Sequence, residues 1–153
     1  SSVTIYGLDG DVPPQMAAQP YGDYSSPVRG YGQNYGQGYG QIAGQIFFKH
    51  GSSRLGSGDM RKISNLADQA KFAPVNYVTV EGFASKPTQA GSDTAQAHII
   101  NLRQSMKRSE KVSKALIGKG VPGEKIKTIS WGASKASGNN SRDRRVDVVM
   151  GER

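Results

Sequence analysis

Hydrophobic and polar residues follow regular patterns only after residue 44 of the chain. Four short runs rich in β-branched and aromatic residues predict β-strands. Between them, apolar residues at three- and four-residue spacing predict two amphipathic helices, with apolar stripes at residues 60–70 and 102–117. The predicted strands are residues 45–49, 77–82, 126–131 and 144–150. The pattern therefore predicts the element order β-α-β-α-β-β.

This order predicts the α+β class, as a two-layer sandwich with both helices packed on one face of a mixed sheet. The stripe of the second helix should then be buried against the sheet, as a single row. The stripe consists of Leu102, Met106, Ser109, Val112, Leu116 and Ile117, and of these Leu102, Met106, Val112 and Leu116 should be buried together. One domain of this kind accounts for residues 45–153.

Residues 1–44 differ in composition, and Tyr-Gly recurs every four residues within residues 31–41. Glycine loses the most conformational entropy on folding, and almost no aliphatic side chains offset that loss. We therefore expect a flexible Gly/Tyr/Gln-rich arm or linker over residues 1–44. The alternating run at residues 3–8 either adds a strand to the sheet edge of a partner or remains unstructured.

Charge divides the chain at the same point. Residues 1–44 carry 1 basic and 3 acidic side chains, whereas residues 45–153 carry 19 basic and 9 acidic side chains, a net charge of +10. Such a surplus fits either a contact with a polyanion or a solvated basic surface. Nucleic acid is not expected as the partner, because no RNA- or DNA-binding motif accompanies the charge.

The residue types needed for metal binding or catalysis are scarce. The chain has no cysteine and only two histidines, His50 and His98, so neither a thiolate metal site nor a nucleophile–base pair is indicated. No constellation of side chains supports catalysis. The sequence predicts a protein without cofactor, metal or enzymatic activity.

Several motifs occur in order over the predicted domain. Residues 78–82 read Val-Thr-Val-Glu-Gly, and the second helix carries Asn101, Ser105, Arg108 and Val112 at the spacing N-x-x-x-S-x-x-R-x-x-x-V. Further along the chain stand Gly120-Val121-Pro122, Trp131-Gly132 and Arg144-Arg145-Val146. From Phe48 to Val149 the sequence resembles the OmpA-like domain of outer-membrane porins, peptidoglycan-associated lipoproteins and flagellar stator proteins.

The resemblance implies a ligand, the diaminopimelate of the peptidoglycan stem peptide. In such domains a helix arginine binds its carboxylate, and the Asp of a Gly-His-Thr-Asp motif binds its ammonium. Arg108 matches the arginine, but Gly82-Phe83-Ala84-Ser85 replaces the acidic motif and puts Ser85 where the Asp stands. The resemblance thus implies weakened binding. The residues it implies for the site are Phe83, Ala84, Ser85, Asn101, Arg108 and Arg145.

The stretch from Ser85 to Asn101 is longer than the family pattern, and Asp93 within it is a candidate substitute for the missing carboxylate. Two functions remain open at this point. The first is a wall-binding module that anchors an outer-membrane or envelope-spanning assembly to peptidoglycan. The second is a degenerate OmpA-like scaffold in a secretion or motor complex, without wall binding.

The resemblance also implies a location. We expect a periplasmic lipoprotein tethered to the outer membrane, with the arm contacting other envelope proteins. These are expectations of the family resemblance and do not follow from composition.

Overall fold

The computed structural model describes residues 2–5, 40–72, 75–86 and 95–151. The strands are β1 (Ser2–Ile5), β2 (Gln41–Phe47), β3 (Tyr77–Gly82), β4 (Ile126–Ser130) and β5 (Arg145–Gly151). The helices are α1 (Ser57–Phe72), α2 (Ala95–Gly118) and the single turn α3 (Asn140–Asp143), and a 3-10 turn spans Gly123–Lys125. From β2 onward, the predicted α+β order is confirmed.

The strands form one mixed sheet in the order β1-β4-β3-β5-β2. Strand β3 lies in the centre, parallel to β4 and antiparallel to β5. Parallel neighbours need a crossover connection, and α2 supplies it between β3 and β4. Both long helices pack on one face of the sheet, as the sequence predicts.

Strand β1 was not predicted as part of this sheet. Residues 2–5 pair in parallel with β4 of the same chain, with Val3 opposite Thr128, and not with a partner protein. Without β1, β4 would be an edge strand whose free backbone groups attract another strand. Residues 6–39, which hold most of the predicted arm, lie outside the described residues.

Strand β2 begins at Gln41, before the predicted boundary at residue 45. Its pairing with β5 shifts register between Ile42 and Gly44, as at a β-bulge. A Cβ on Gly44 would lie 3.0 Å from a Leu66 side-chain carbon, so glycine allows α1 to approach the strand closely. Residues 41–44 were predicted to belong to the arm because they resemble it in composition, and composition does not reveal backbone pairing.

A side chain of the first turn stabilises the start of α1. The carboxylate of Asp59 accepts a hydrogen bond from the backbone N–H of Gly56 at 2.8 Å, which satisfies a donor at the helix start. The buried faces of α1 and α2 share one core with alternate residues of β2, β3, β4 and β5. The members of this core include Ile46, Ile63, Leu66, Val78, Val80, Val112, Leu116, Ile126, Val146 and Val148.

Helix α2 departs from the predicted stripe over its middle turns. Met106 is only half-buried, whereas Ser105 and Ser109 are fully buried. A Cβ on Gly82 would lie 2.2 Å from the carbonyl oxygen of Ser105 and 3.0 Å from the Cβ of Ser109. Only small side chains fit where α2 crosses the end of β3, so Ser105 is buried there in place of the expected Met106, beside the predicted Ser109. Ile117, also predicted to belong to the stripe, is 42% exposed.

Truncating Leu116 to Ala should lower the free energy of unfolding by about 2–5 kcal/mol, because Leu116 is fully buried and a cavity would remain. The neighbouring Ile117 is 42% exposed and provides the matched control. Ile117→Ala should cost below about 1 kcal/mol in urea titrations of both variants. Equal losses at the two positions would contradict the packing of α2.

Candidate functional site

Arg108 lies at the centre of the candidate site and is 1% exposed. Its guanidinium donates three hydrogen bonds to backbone carbonyls of two segments. Nε donates to Ser52 O at 2.9 Å, Nη1 to Phe83 O at 3.3 Å and Nη2 to Lys49 O at 3.2 Å. The carbon of the guanidinium also lies 5.4 Å from the centroid of the Phe48 ring. Arg108 therefore joins α2 to the residues that follow β2 and β3.

A second arginine lies beside it. Nε of Arg144 donates to Phe48 O at 3.1 Å, and Arg144 is half-buried. Burial first, and the positive charge of Arg144 second, lower the pKa of Arg108 to about 10. No described Asp or Glu forms an ion pair with either arginine. The described residues thus hold two cations together without an anion.

Phe83, Ala84 and Ser85 lead away from β3 on the same side of the domain. Phe83 and Ala84 are each 2% exposed, and their backbone N–H groups donate to Arg145 O and Gly132 O. Ser85, which replaces the acidic residue of the motif, is half-buried. The structure therefore brings Phe83 into contact with Arg108, with Ser85 two residues further along.

Asn101 and Asp93 were the remaining candidates on this side. Asn101 is half-buried and precedes Arg108 by seven residues, which places it on the same side of α2 at about 10 Å along the helix axis. Asp93 lies outside the described residues. Helix α2 already begins at Ala95, so part of the long connection before Asn101 is helical.

Arg145 does not share this site. Val146 packs in the core beneath the helices, and side chains alternate along a strand, so Arg145 and Asp147 lie on the other face of the sheet. There Nε of Arg145 donates to Oδ1 of Asp147 at 3.0 Å, and its guanidinium lies 4.1 Å from the centroid of the Phe83 ring. This contact ties Arg145 into the fold, and its role in ligand binding stays a prediction.

Burial raises the pKa of Asp147, which is 0% exposed, against the opposing effect of Arg145. Gln45 donates a second hydrogen bond to Oδ1 at 3.0 Å. Among the described residues, Oδ2 of Asp147 and Nη2 of Arg145 are buried without a hydrogen-bond partner. The pair is therefore incompletely satisfied.

The sequence did not single out Glu81 or Lys135, which are also buried on this second face. Oε1 of Glu81 accepts a hydrogen bond from Nε1 of Trp131 at 2.7 Å. The ammonium of Lys135 lies 4.5 Å from the centroid of the Trp131 ring, and burial lowers the pKa of Lys135 to about 7, opposed by Glu81. Trp131 is thus a core residue with polar partners on the face opposite the helices.

Two kinds of site were sought across the described ranges. No group of three or more His, Cys, Asp or Glu side chains there could hold a metal ion. None of the helices in those ranges combines the length and the hydropathy needed to cross a bilayer.

Comparison with known proteins places this geometry in a family. A model of the OmpA family matches residues 47–147, about two thirds of the chain. The chain belongs to the OmpA family. The match begins at Phe47, the last residue of β2, and therefore excludes β1. It includes Arg108, Arg144 and residues 82–85.

Two curated relatives of this OmpA-family chain are each 26% identical to it over 111 residues. The peptidoglycan-binding protein ArfA of Mycobacterium tuberculosis is matched over 69% of this chain and 32% of its own length. The probable lipoprotein YiaD of Escherichia coli is matched over 69% of this chain and 47% of its own length. The chain thus spans less than half of either relative.

Solved structures agree with the fold. The OmpA-like domain of FopA1 from Francisella tularensis is 24% identical, with a TM-score of 0.55 over 71% of this chain and 73% of that one. The peptidoglycan-associated lipoprotein from Burkholderia pseudomallei is 20% identical, with a TM-score of 0.58 over 69% of this chain and 88% of that one. Both confirm the OmpA-like architecture.

The buried pair on the second face generates a stability prediction. Arg145→Met should destabilise the fold by about 3–5 kcal/mol at pH 7, because Asp147 would remain buried without a cation. The double variant Arg145→Met, Asp147→Leu should recover most of that loss in urea titrations, since well-packed apolar pairs replace buried ion pairs at little cost.

The loss in the single variant should also shrink between pH 7 and pH 5. Burial raises the folded-state pKa of Asp147 above its unfolded value, and Arg145→Met removes the charge that opposes this rise. The variant therefore gains more stability than the parent chain as the pH falls. A double variant no more stable than Arg145→Met, at either pH, would contradict this description of the pair.

Proposed function

We propose that the chain is a non-catalytic module that binds the peptidoglycan stem peptide through a carboxylate held by Arg108 and Arg144. One observation carries the proposal: two arginines meet in a largely buried position where the described residues supply no counter-charge. A buried cation without a counter-ion is costly, and a bound carboxylate relieves that cost.

The hydrogen bonds of Arg108 support the same assignment. A guanidinium has five N–H donors, and three carbonyls use three of them. The Nη1 and Nη2 contacts, at 3.3 and 3.2 Å, are longer than the 2.9 Å contact of Nε. The two terminal nitrogens, which form the fork suited to a carboxylate, are therefore the less firmly engaged ones.

The ammonium of the diaminopimelate meets a weaker partner. Ser85 offers it a neutral hydrogen bond in place of an ion pair, and charge-assisted hydrogen bonds are about twice as strong as neutral ones. We therefore propose binding to the wall that is weaker than an acidic residue at position 85 would give. Asp93 remains a candidate for a second contact.

The family suggests where the module works. We propose a periplasmic location with a tether to the outer membrane, in line with the name of the Escherichia coli relative as a probable lipoprotein. Residues 1–44 would then contact other envelope proteins, while residues 45–153 hold the assembly against the wall.

A scaffold function without wall binding is the second candidate. It is supported by the burial of Arg108 and by Ser85 in place of Asp. In that case the three carbonyl contacts of Arg108 serve only to fix α2, and the domain is a building block of a secretion or motor complex.

Sedimentation of the full chain with purified sacculi separates the two candidates. Ser85→Asp should lower the dissociation constant about fivefold to tenfold, because it restores an ion pair to the ammonium. Arg108→Ala should abolish binding, and Arg144→Gln should weaken it, since both remove the cations that hold the carboxylate.

Because Arg108 also joins three segments, its variants need a check on folding. Arg108→Lys keeps the charge but loses the fork, and Arg144 is only half-buried, so both variants are expected to fold and yet bind weakly. Thermal unfolding identifies any variant that fails to fold. If the parent chain does not sediment with sacculi and Ser85→Asp adds nothing, the scaffold function is the correct one. If the parent chain sediments and the folded Arg108→Lys and Arg144→Gln variants sediment equally well, the Arg108 site is not the one that binds the wall.

A further inference from the structure

The outward face of α2 carries a row of cations. Arg103, Lys107, Lys111 and Lys114 are all exposed, and their spacings of four, four and three residues keep them on one side of the helix. Arg108 lies on a buried side of the helix, about 100° around its axis from the middle of this row, at the candidate site. The row is therefore separate from the proposed wall-binding site.

The row carries more positive than negative charge. Glu110, the only acidic residue of α2, lies on the same side, three residues after Lys107 and four before Lys114. None of the four cations forms an ion pair within the described ranges. A solvated cation on a helix is common, but four of them on one face produce a concentrated positive field.

Exposed apolar side chains lie at both ends of this row. Ile99 and Ile100 are 39% and 57% exposed near the start of α2, and Ile117 is 42% exposed near its end. Phe72, at the end of α1, is 82% exposed. Isolated exposed apolar residues need no explanation, but these flank the cations on the outer side of the helical layer.

The ends of the two helices are joined. The ammonium of Lys71 donates to Lys119 O at 2.9 Å and lies 5.6 Å from the centroid of the Phe72 ring. Phe72 therefore lies at the same end of the layer as Ile117, and it adds an exposed aromatic ring next to further lysines. We call the outer face formed by residues 99–117 of α2 together with Phe72 the helical ridge.

We propose that the helical ridge binds the surface of a membrane rich in anionic phospholipids. The cations would meet the phosphates, and the isoleucines and Phe72 would enter the boundary between headgroups and acyl chains. An exposed helix face suits a broad surface better than a cleft. The lysine and arginine side chains have apolar stems, and apolar residues flank them, so the face matches a lipid surface. An acidic protein partner would account for the cations but not for the exposed ring of Phe72.

The test is flotation of the full chain with lipid vesicles. Vesicles of phosphatidylglycerol and phosphatidylcholine should carry the protein at 0.1 M salt, whereas vesicles of phosphatidylcholine alone should not. Binding should fall steeply at about 0.5 M salt, where exposed charges are screened. Lys107, Lys111 and Lys114, changed together to Gln, should weaken binding about a hundredfold.

A matched control removes the same charge elsewhere. Lys86, Lys127 and Arg142 are exposed on other elements, and changing all three to Gln should leave vesicle binding within about threefold of the parent chain. Phe72→Ser should weaken binding roughly tenfold while preserving its salt dependence, since it removes an apolar contact only.

The outcomes distinguish this proposal from wall binding. Arg108→Lys should float with vesicles like the parent chain even where sacculus binding is lost, and the triple ridge variant should retain binding to the Arg108 site. If the triple variant of the helical ridge and the triple control variant lose vesicle binding equally, binding depends only on net charge and the proposal is overturned. Failure of the parent chain to float with anionic vesicles would overturn it as well, and an acidic protein would then be the partner to seek.

Discussion

The close approach of α2 to the end of β3 determines the position of the candidate site. At Gly82 there is no room for a Cβ, because the carbonyl oxygen of Ser105 lies where the methyl group would be. The hydroxyls of Ser105 and Ser130 are hydrogen-bonded to each other in the same contact. Arg108, one turn beyond Ser105, is thereby brought against the carbonyl of Phe83. A bulkier contact would separate the helix from the strand and take Arg108 away from the residues after β3.

Two buried arginines on opposite faces of one sheet illustrate how their surroundings decide their roles. Arg145 has a carboxylate partner in Asp147 and an aromatic ring beneath it, and its position is explained by the fold. Arg108 has carbonyls around it and another arginine nearby, which lowers its pKa without supplying an anion. Of the two, Arg108 is therefore the one whose surroundings favour an external ligand. The family motif contains both residues, and only the structure separates them.

Much of the fold could be predicted from the spacing of apolar residues and from the order of the motifs along the chain. Apolar spacing located both long helices and the strands from β2 onward, and motif order indicated the OmpA-like architecture, which is confirmed. The alternation of Val146, Val148 and Met150 already implied that Arg145 faces away from the helices, but the motif drew attention to it as a ligand residue. The rest depends on backbone contacts. No compositional signal marks the pairing of β1 with β4, the early start of β2 or the carbonyls that bind Arg108. The tight contact at Gly82, which buries Ser105 where Met106 was expected, is also a backbone contact.

The proposed wall binding requires that the guanidinium of Arg108 binds an anion. It can be observed directly in the nitrogen–proton NMR signal of Arg108 Nε, which burial and the bond to Ser52 O protect from exchange. Adding a stem peptide that contains diaminopimelate to the full chain should shift this signal in a saturable manner, together with the signal of Arg144 Nε. The signals of Arg145 Nε and of Arg103 Nε, on the other faces of the domain, should stay in place. If the Arg108 signal stays unchanged at a peptide concentration that fully displaces the chain from sacculi, Arg108 does not bind the stem peptide.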